Sequence, residues 1–128
     1  MSFVLDASAM LATLLDEPGG DDVYEVMNDS HISVINLSEV YATLLDGGMS
    51  FETAQEIIDP LPVRVRTFRD AHAWQTAKLR PLTRKFGLSL GDRACITTAM
   101  FEDLPILTSD RRMAEAKDIV GIEIRMIR

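Results

Sequence analysis

Four acidic residues stand where an apolar run gives way to a helix signal: Asp6 in FVLDASAM, Glu39 in VINLSEVYATL, Asp92 in LSLGDRACITTA and Asp110 in PILTSDRRMAE. No local motif brings positions so far apart together. In an open parallel sheet, however, residues just past the carboxyl ends of the strands converge on one edge, where such sheets place their sites. Two carboxylates ~6 Å apart repel by about 3 kcal/mol at an effective dielectric constant of about 20. A helix N-terminus offsets at most ~1 kcal/mol for each. Four such groups on one edge therefore require a divalent cation. All-carboxylate oxygen ligation suits Mg²⁺ or Mn²⁺, and metal-dependent phosphodiester cleavage is the chemistry such a site would perform.

Each acid also has a structural role open to it. Asp6 can cap the helix ASAMLATLL, and Asn36-Leu37-Ser38-Glu39 has the shape of a capping box with Asn36 as its cap. Asp92 can start a helix after Gly91, and Ser109 or Asp110 can cap RRMAEA. A strand-to-helix junction is where a cap and a ligand coincide, so the two readings are compatible. Other chemistries find little support. His31 and His72 lack a Cys or His partner at ligand spacing, and there is no Gly-x-Ser-x-Gly elbow or phosphate-cradling glycine loop. Cys95 reads as a small buried apolar residue on a helix.

The elements that must position these acids follow from hydrophobic patterning. Short apolar runs alternate with amphipathic segments, as in βα units around a parallel sheet. Strands are expected at 3–6, 31–35, 63–67, 104–108 and 122–127, with helices at 8–15, 20–28, 37–46, 51–59, 69–86, 92–102 and 110–117. Gly47-Gly48, Pro60 and Gly87 end helices, and Pro81 is expected to break or kink one after Arg80. VRVRTF and IEIRMI alternate apolar with basic or acidic residues and suit the sheet edges. FVL, ISVI and PILT are then the central strands, and the helices cover both faces.

A chain of 128 residues is expected to form one domain, spanning 1–128. A lone cysteine and the lack of a signal-like or membrane-length apolar segment fit a cytoplasmic, soluble protein. The net charge of −7 is unevenly spread. Residues 1–63 hold twelve Asp or Glu and no Lys or Arg; residues 64–128 hold all thirteen basic residues, eight of them between Arg64 and Arg93. An acidic site beside a basic flank would suit a polyanionic substrate, because phosphate contacts come chiefly from Lys and Arg. Arg80, Arg84, Lys85 and Arg93, with Arg111 and Arg112 beside Asp110, are the candidates to hold it; solvated helix faces are the alternative.

FVLDASA, INLSEVYATL, LRPLTRKFGLSLGDRACITTA and ILTSDRRMAE, in that order and spacing, resemble the PIN-domain ribonuclease toxins of the VapC type, from bacterial toxin–antitoxin pairs. The resemblance implies a three-layer α/β/α sandwich on a parallel sheet. It implies that Asp6, Glu39, Asp92 and Asp110 are the Mg²⁺-site acids, with Ser8 and Ser109 at the accompanying hydroxyl positions. It implies an RNA substrate, a cognate antitoxin and self-association; no membrane partner is expected, because no apolar run is long enough to span one. Leu11, Leu14, Leu15, Val40, Leu44 and Leu45 offer apolar helix faces for the antitoxin or for the core. A PIN nuclease of RNA processing or DNA repair, working without an antitoxin, is the alternative within the same chemistry. A signalling receiver domain fits poorly, because Asp6 stands alone after strand one and no Lys follows strand five.

Overall fold

Each apolar run becomes a short strand in the computed structural model, which describes residues 1–128. β1 (Val4–Leu5) is followed by α1 (Ala7–Leu14) and α2 (Gly20–Val26), and β2 (His31–Ser33) by α3 (Val34–Asp46) and α4 (Phe51–Ile58). After β3 (Arg64–Arg66) come α5 (Asp70–Thr83) and α6 (Leu90–Glu102). β4 (Ile106–Thr108), α7 (Arg111–Glu115), α8 (Lys117–Val120) and β5 (Ile124–Met126) complete the chain. All five strands are parallel, in the order β3-β2-β1-β4-β5. The two alternating segments are the edges, as expected, and β3 is exposed at every residue.

Strand side chains alternate between faces, and the register turns this alternation into two cores. Leu5 lies beside Ile32 and Leu107. These three pack on one face against Ala9, Met10, Val23, Val40 and Ile58 of α1–α4. Val4, Ile106 and Ile124 point the other way, against Leu79, Ile96, Met113 and Val120 of α5–α8. The result is a three-layer α/β/α sandwich. No helix is long and apolar enough to cross a membrane.

Three differences from the sequence expectation have a clear physical cause or change the element count. β2 ends at Ser33, and α3 starts at once, with the Ser33 hydroxyl accepting from the Ile35 amide at 3.1 Å. Val34 and Ile35 therefore belong to the first helical turn, their β-branched character overridden by a good cap. Asn36 is a residue inside the helix and not its cap. The helix also does not break at Pro81. It runs through to Thr83, whose hydroxyl donates to the Leu79 carbonyl at 2.8 Å. Buried Leu79 and Thr83 anchor the two sides of the exposed proline, and the chain tightens only in a 3₁₀ turn at Arg84–Phe86. The segment expected as one short helix at 110–117 is two, α7 and α8.

The approach of α2 to α1 depends on a missing side chain. A Cβ at Gly20 would lie 2.6 Å from the Ala12 carbonyl carbon, and backbone cannot swing aside. Gly20→Ala is expected to lower stability by about 1–3 kcal/mol, as overpacking does. The measurement is a fall in the urea midpoint at constant m-value; an unchanged midpoint would show that the two helices adapt.

Candidate active site at the carboxyl edge of the sheet

Because Val4 is in register with Ile106, the chain positions two residues on, Asp6 and Thr108, also meet. Asp6 caps α1, is only 5% exposed, and accepts three hydrogen bonds. Its Oδ1 takes the Ala9 amide at 2.9 Å and the Ser8 hydroxyl at 2.6 Å, and its Oδ2 takes the Thr108 hydroxyl. Thr108 Oγ1 in turn accepts the Asp110 amide at 2.9 Å, while Ser8 Oγ accepts the Ser109 amide, also at 2.9 Å. Two hydroxyls thus tie the first acid to the segment carrying the last. Ser109 contributes through its backbone. The hydroxyl against Asp6 belongs to Thr108, which strand parity singles out: it lies an even number of residues from Ile106, on the face shared with Val4 and Asp6.

The electrostatics of Asp6 are strained. Its pKa is raised to about 6, with burial as the largest cause. Hydrogen bonds from Ser8, Thr108 and the Ala9 amide pull it down, and the negative charge of Asp92 pushes it further up. Burial likewise raises the Cys95 thiol, with help from the charges of Asp6, Asp92 and Glu39. Three of the four acids therefore act electrostatically on one buried point of α6.

Asp92 and Ser89 form a reciprocal capping box at the start of α6. The Ser89 amide donates to Asp92 Oδ2 at 2.8 Å, and the Asp92 amide donates to Ser89 Oγ at 3.2 Å. Glu39 reaches the same place from α3. Its Oε1 accepts from Asn36 Nδ2 at 2.8 Å, and the same nitrogen donates to the Gly91 carbonyl at 3.0 Å. Asn36 is 1% exposed, and its Oδ1 is buried without a partner. Asp110 caps α7, and Arg112 is folded back over it. Oδ1 accepts the Arg112 amide at 2.9 Å and Nε at 3.4 Å, and Oδ2 accepts Nη2 at 3.2 Å. The hydrogen bonds to Asp110, and then its charge, raise the Arg112 pKa, as does the charge of Asp92.

The basic candidates fall into two groups. Arg80, Arg84, Lys85 and Arg111 are exposed, with Lys85 over the Phe86 ring. Arg80 and Arg93 lie close enough for their like charges to lower the Arg93 pKa, although burial is the larger cause. Arg93 Nη1 donates to the Thr76 carbonyl at 3.1 Å, so this side chain braces α6 on α5. Arg112 Nη1 reaches the Gly87 carbonyl at 3.4 Å, bringing α7 beside the turn that carries Arg84 and Lys85.

No three of these acids, nor any with a His or Cys, close on one point as a ready-made metal cage. They lie along one edge, near enough for Asp6, Asp92 and Glu39 to act together on Cys95 and for Asp92 and Asp110 to act on Arg112. The donors nonetheless fit a hard divalent cation: all are oxygens, one carboxylate is held against the cost of burial, and one buried amide oxygen is orphaned.

A family profile described as the PIN domain matches residues 3–119. The chain belongs to the PIN-domain family. No curated relative matches it significantly. Solved structures confirm the PIN-domain fold at low identity. DNA-bound VapBC from Salmonella typhimurium aligns with a TM-score of 0.77 at 18% identity, over 100% of this chain and 99% of that one. VapBC2 from Rickettsia felis, bound to a promoter DNA fragment, gives 0.75 at 17%, with 98% of both chains covered. A toxin–antitoxin complex from Klebsiella pneumoniae gives 0.72 at 14%, again with 98% of both covered.

The raised pKa of Asp6 makes a signed prediction. The folded protein holds this proton up to about pH 6, whereas the unfolded chain releases it near the ordinary value of 3.8. The stability contribution is therefore complete below about 4 and is lost as pH rises to about 6, by roughly 3 kcal/mol for two pKa units. In EDTA, Asp6→Asn is expected to gain on wild type across that window and to be the more stable protein at pH 7. Parallel stability–pH curves for the two proteins would refute it.

Proposed function

We propose that this PIN-domain protein is a Mg²⁺- or Mn²⁺-dependent endoribonuclease, and that it is the toxin of a bacterial toxin–antitoxin pair. The observation that carries the reading is the buried, hydrogen-bonded Asp6 sharing one sheet edge with Glu39, Asp92 and Asp110. Asp6, Glu39 and Asp92 would hold the cation, and Asp110 would join them if its oxygens leave Arg112. When bound, the cation supplies Lewis acidity at the scissile phosphate and lowers the pKa of a water.

The remaining work falls to side chains. Glu39 Oε1 is committed to Asn36, which leaves Oε2 as the oxygen to receive the water's proton. Ser8 and Thr108 fix the orientation of Asp6, so its carboxylate needs no rearrangement. Arg80, Arg84, Lys85 and Arg111 face solvent and are free to take substrate phosphates, with Arg112 beside them. Arg93 reinforces the local positive field while bracing the helix. Val40 and Leu44 serve the core; Leu15 (49% exposed) and Leu45 (40%) remain available to an antitoxin or a second copy. Solved neighbours that are toxin–antitoxin complexes favour this reading over a PIN nuclease without a partner. Co-expression with a small protein encoded next to the gene should give a complex and relieve growth inhibition.

The deciding experiment is cleavage of RNA with EDTA controls. Asp6→Asn and Asp92→Asn are expected to abolish Mg²⁺-dependent cleavage with the fold retained, and Asp70→Asn to change it little. Full activity in Asp92→Asn would remove the acids from the mechanism. With an affinity of about 1 mM, 10 mM Mg²⁺ should add about 1.4 kcal/mol of stability, or roughly 2–5 °C in Tm.

The exposed basic group makes a separate prediction. Arg80→Glu, Arg84→Glu and Lys85→Glu together should weaken RNA binding, and the salt slope should fall by ~0.7–0.9 for each lost phosphate contact. The metal-dependent Tm shift should stay as in the wild type. An unchanged affinity and slope would show that these charges only solvate a helix face.

A further inference from the structure

Glycine at position 91 is unexplained by backbone conformation, since it sits in the first turn of α6 and is absent from the positive-φ residues. Within a helix, glycine is a poorer choice than alanine. Its surroundings supply the reason. A Cβ at Gly91 would lie 2.5 Å from both the Cδ and Oε1 of Glu39 and closer still to Oε2, far inside contact distance. The carboxylate of Glu39 occupies the space that any other residue would fill. Asn36 closes the seat, with one amide nitrogen donating to both Glu39 Oε1 and the Gly91 carbonyl. The amide's orientation is fixed, because flipping it would set an oxygen against two acceptors. Three residues from two helices thus define where one carboxylate can rest.

We propose that Gly91 and Asn36 are positioning residues that seat the Glu39 carboxylate against the start of α6, beside Asp92. Neither touches substrate; both act through Glu39. Gly91 admits the carboxylate to the helix surface, where Oε2 lies nearest the glycine, and Asn36 holds Oε1. Moving Glu39 separates it from Asp6 and Asp92 while leaving the apolar core untouched, so the seat can fail without the fold failing. The functional part of this inference rests on the nuclease reading, whereas the contact itself does not.

Gly91→Ala separates the two. Alanine improves the helix, so in EDTA the variant should melt at or above the wild-type temperature. Its Mg²⁺-dependent Tm shift should nevertheless vanish, and cleavage should fall by about 10–100-fold, the usual cost of losing a group that orients a metal ligand. Asn36→Asp, which sets a carboxylate against Glu39 and the Gly91 carbonyl, should lose the same metal response. It also serves if Gly91→Ala folds poorly. Wild-type metal response and cleavage in either variant, once folded, would overturn the proposal.

A double-mutant cycle in EDTA tests the contact without metal or substrate. With Glu39→Ala in place nothing remains to be displaced, so Gly91→Ala should raise Tm more than it does in the wild type. Equal Tm changes in the two backgrounds would overturn the seat. A wild type with no metal response but a non-additive cycle would sink the nuclease reading and leave the contact standing.

Discussion

A carboxylate held in a dry place beside another negative charge is the constraint around which the carboxyl edge is organised. Burial alone works against ionised Asp6, and Asp92 adds to the penalty. What keeps the group in place is the convergence of two hydroxyls and a backbone amide on its oxygens. Those donors exist only because β1 and β4 pair in a single register and because α1 starts at the residue after Asp6. A one-residue slip would exchange Thr108 for a neighbour on the opposite face and leave the carboxylate short of a donor. The sheet register and the polar network therefore enforce one another.

Central strands, edge strands and parallel topology could all be read from the alternation of apolar runs with amphipathic segments, since burial imposes that pattern directly. The caps at Asp6 and Asp110 could be read for the same reason: they are satisfied within three residues of themselves. The start of α3 was harder. Val34 and Ile35 have strand-like side chains, and only a well-placed Ser33 hydroxyl decides for helix. Pro81 misled in the opposite direction, because packing at Leu79 and Thr83 outweighs one lost hydrogen bond at an exposed position.

The parts of the site that sequence did not disclose are those made by contacts across long stretches of chain. Asn36 bonds to a carbonyl 55 residues away, and Thr108 bonds to a carboxylate 102 residues away. Thr108 was within reach of strand parity once β1 and β4 were known to be neighbours. Asn36 and Gly91 were not. Each has a sufficient local explanation, a helix cap for one and a helix start for the other, and that explanation hides the tertiary role.

The charge asymmetry of the chain acquires a spatial meaning in the sandwich. Residues 1–63, without a single Lys or Arg, build α1–α4 on one face; the basic residues lie on β3 and on the elements that follow it. The acids draw on both: Asp6 and Glu39 come from the first half, Asp92 and Asp110 from the second. The carboxyl edge is thus a seam between an acidic face and one that carries all the basic residues. For the proposed nuclease, a polyanion would be steered in from the α5–α7 side, past Arg84, Lys85 and Arg112, and would meet the carboxylates only at the end of that path. Separating the charges in this way would let an acidic protein approach such a polyanion, because the attraction is local to the α5–α7 side and most of the acidic surface lies on the opposite face.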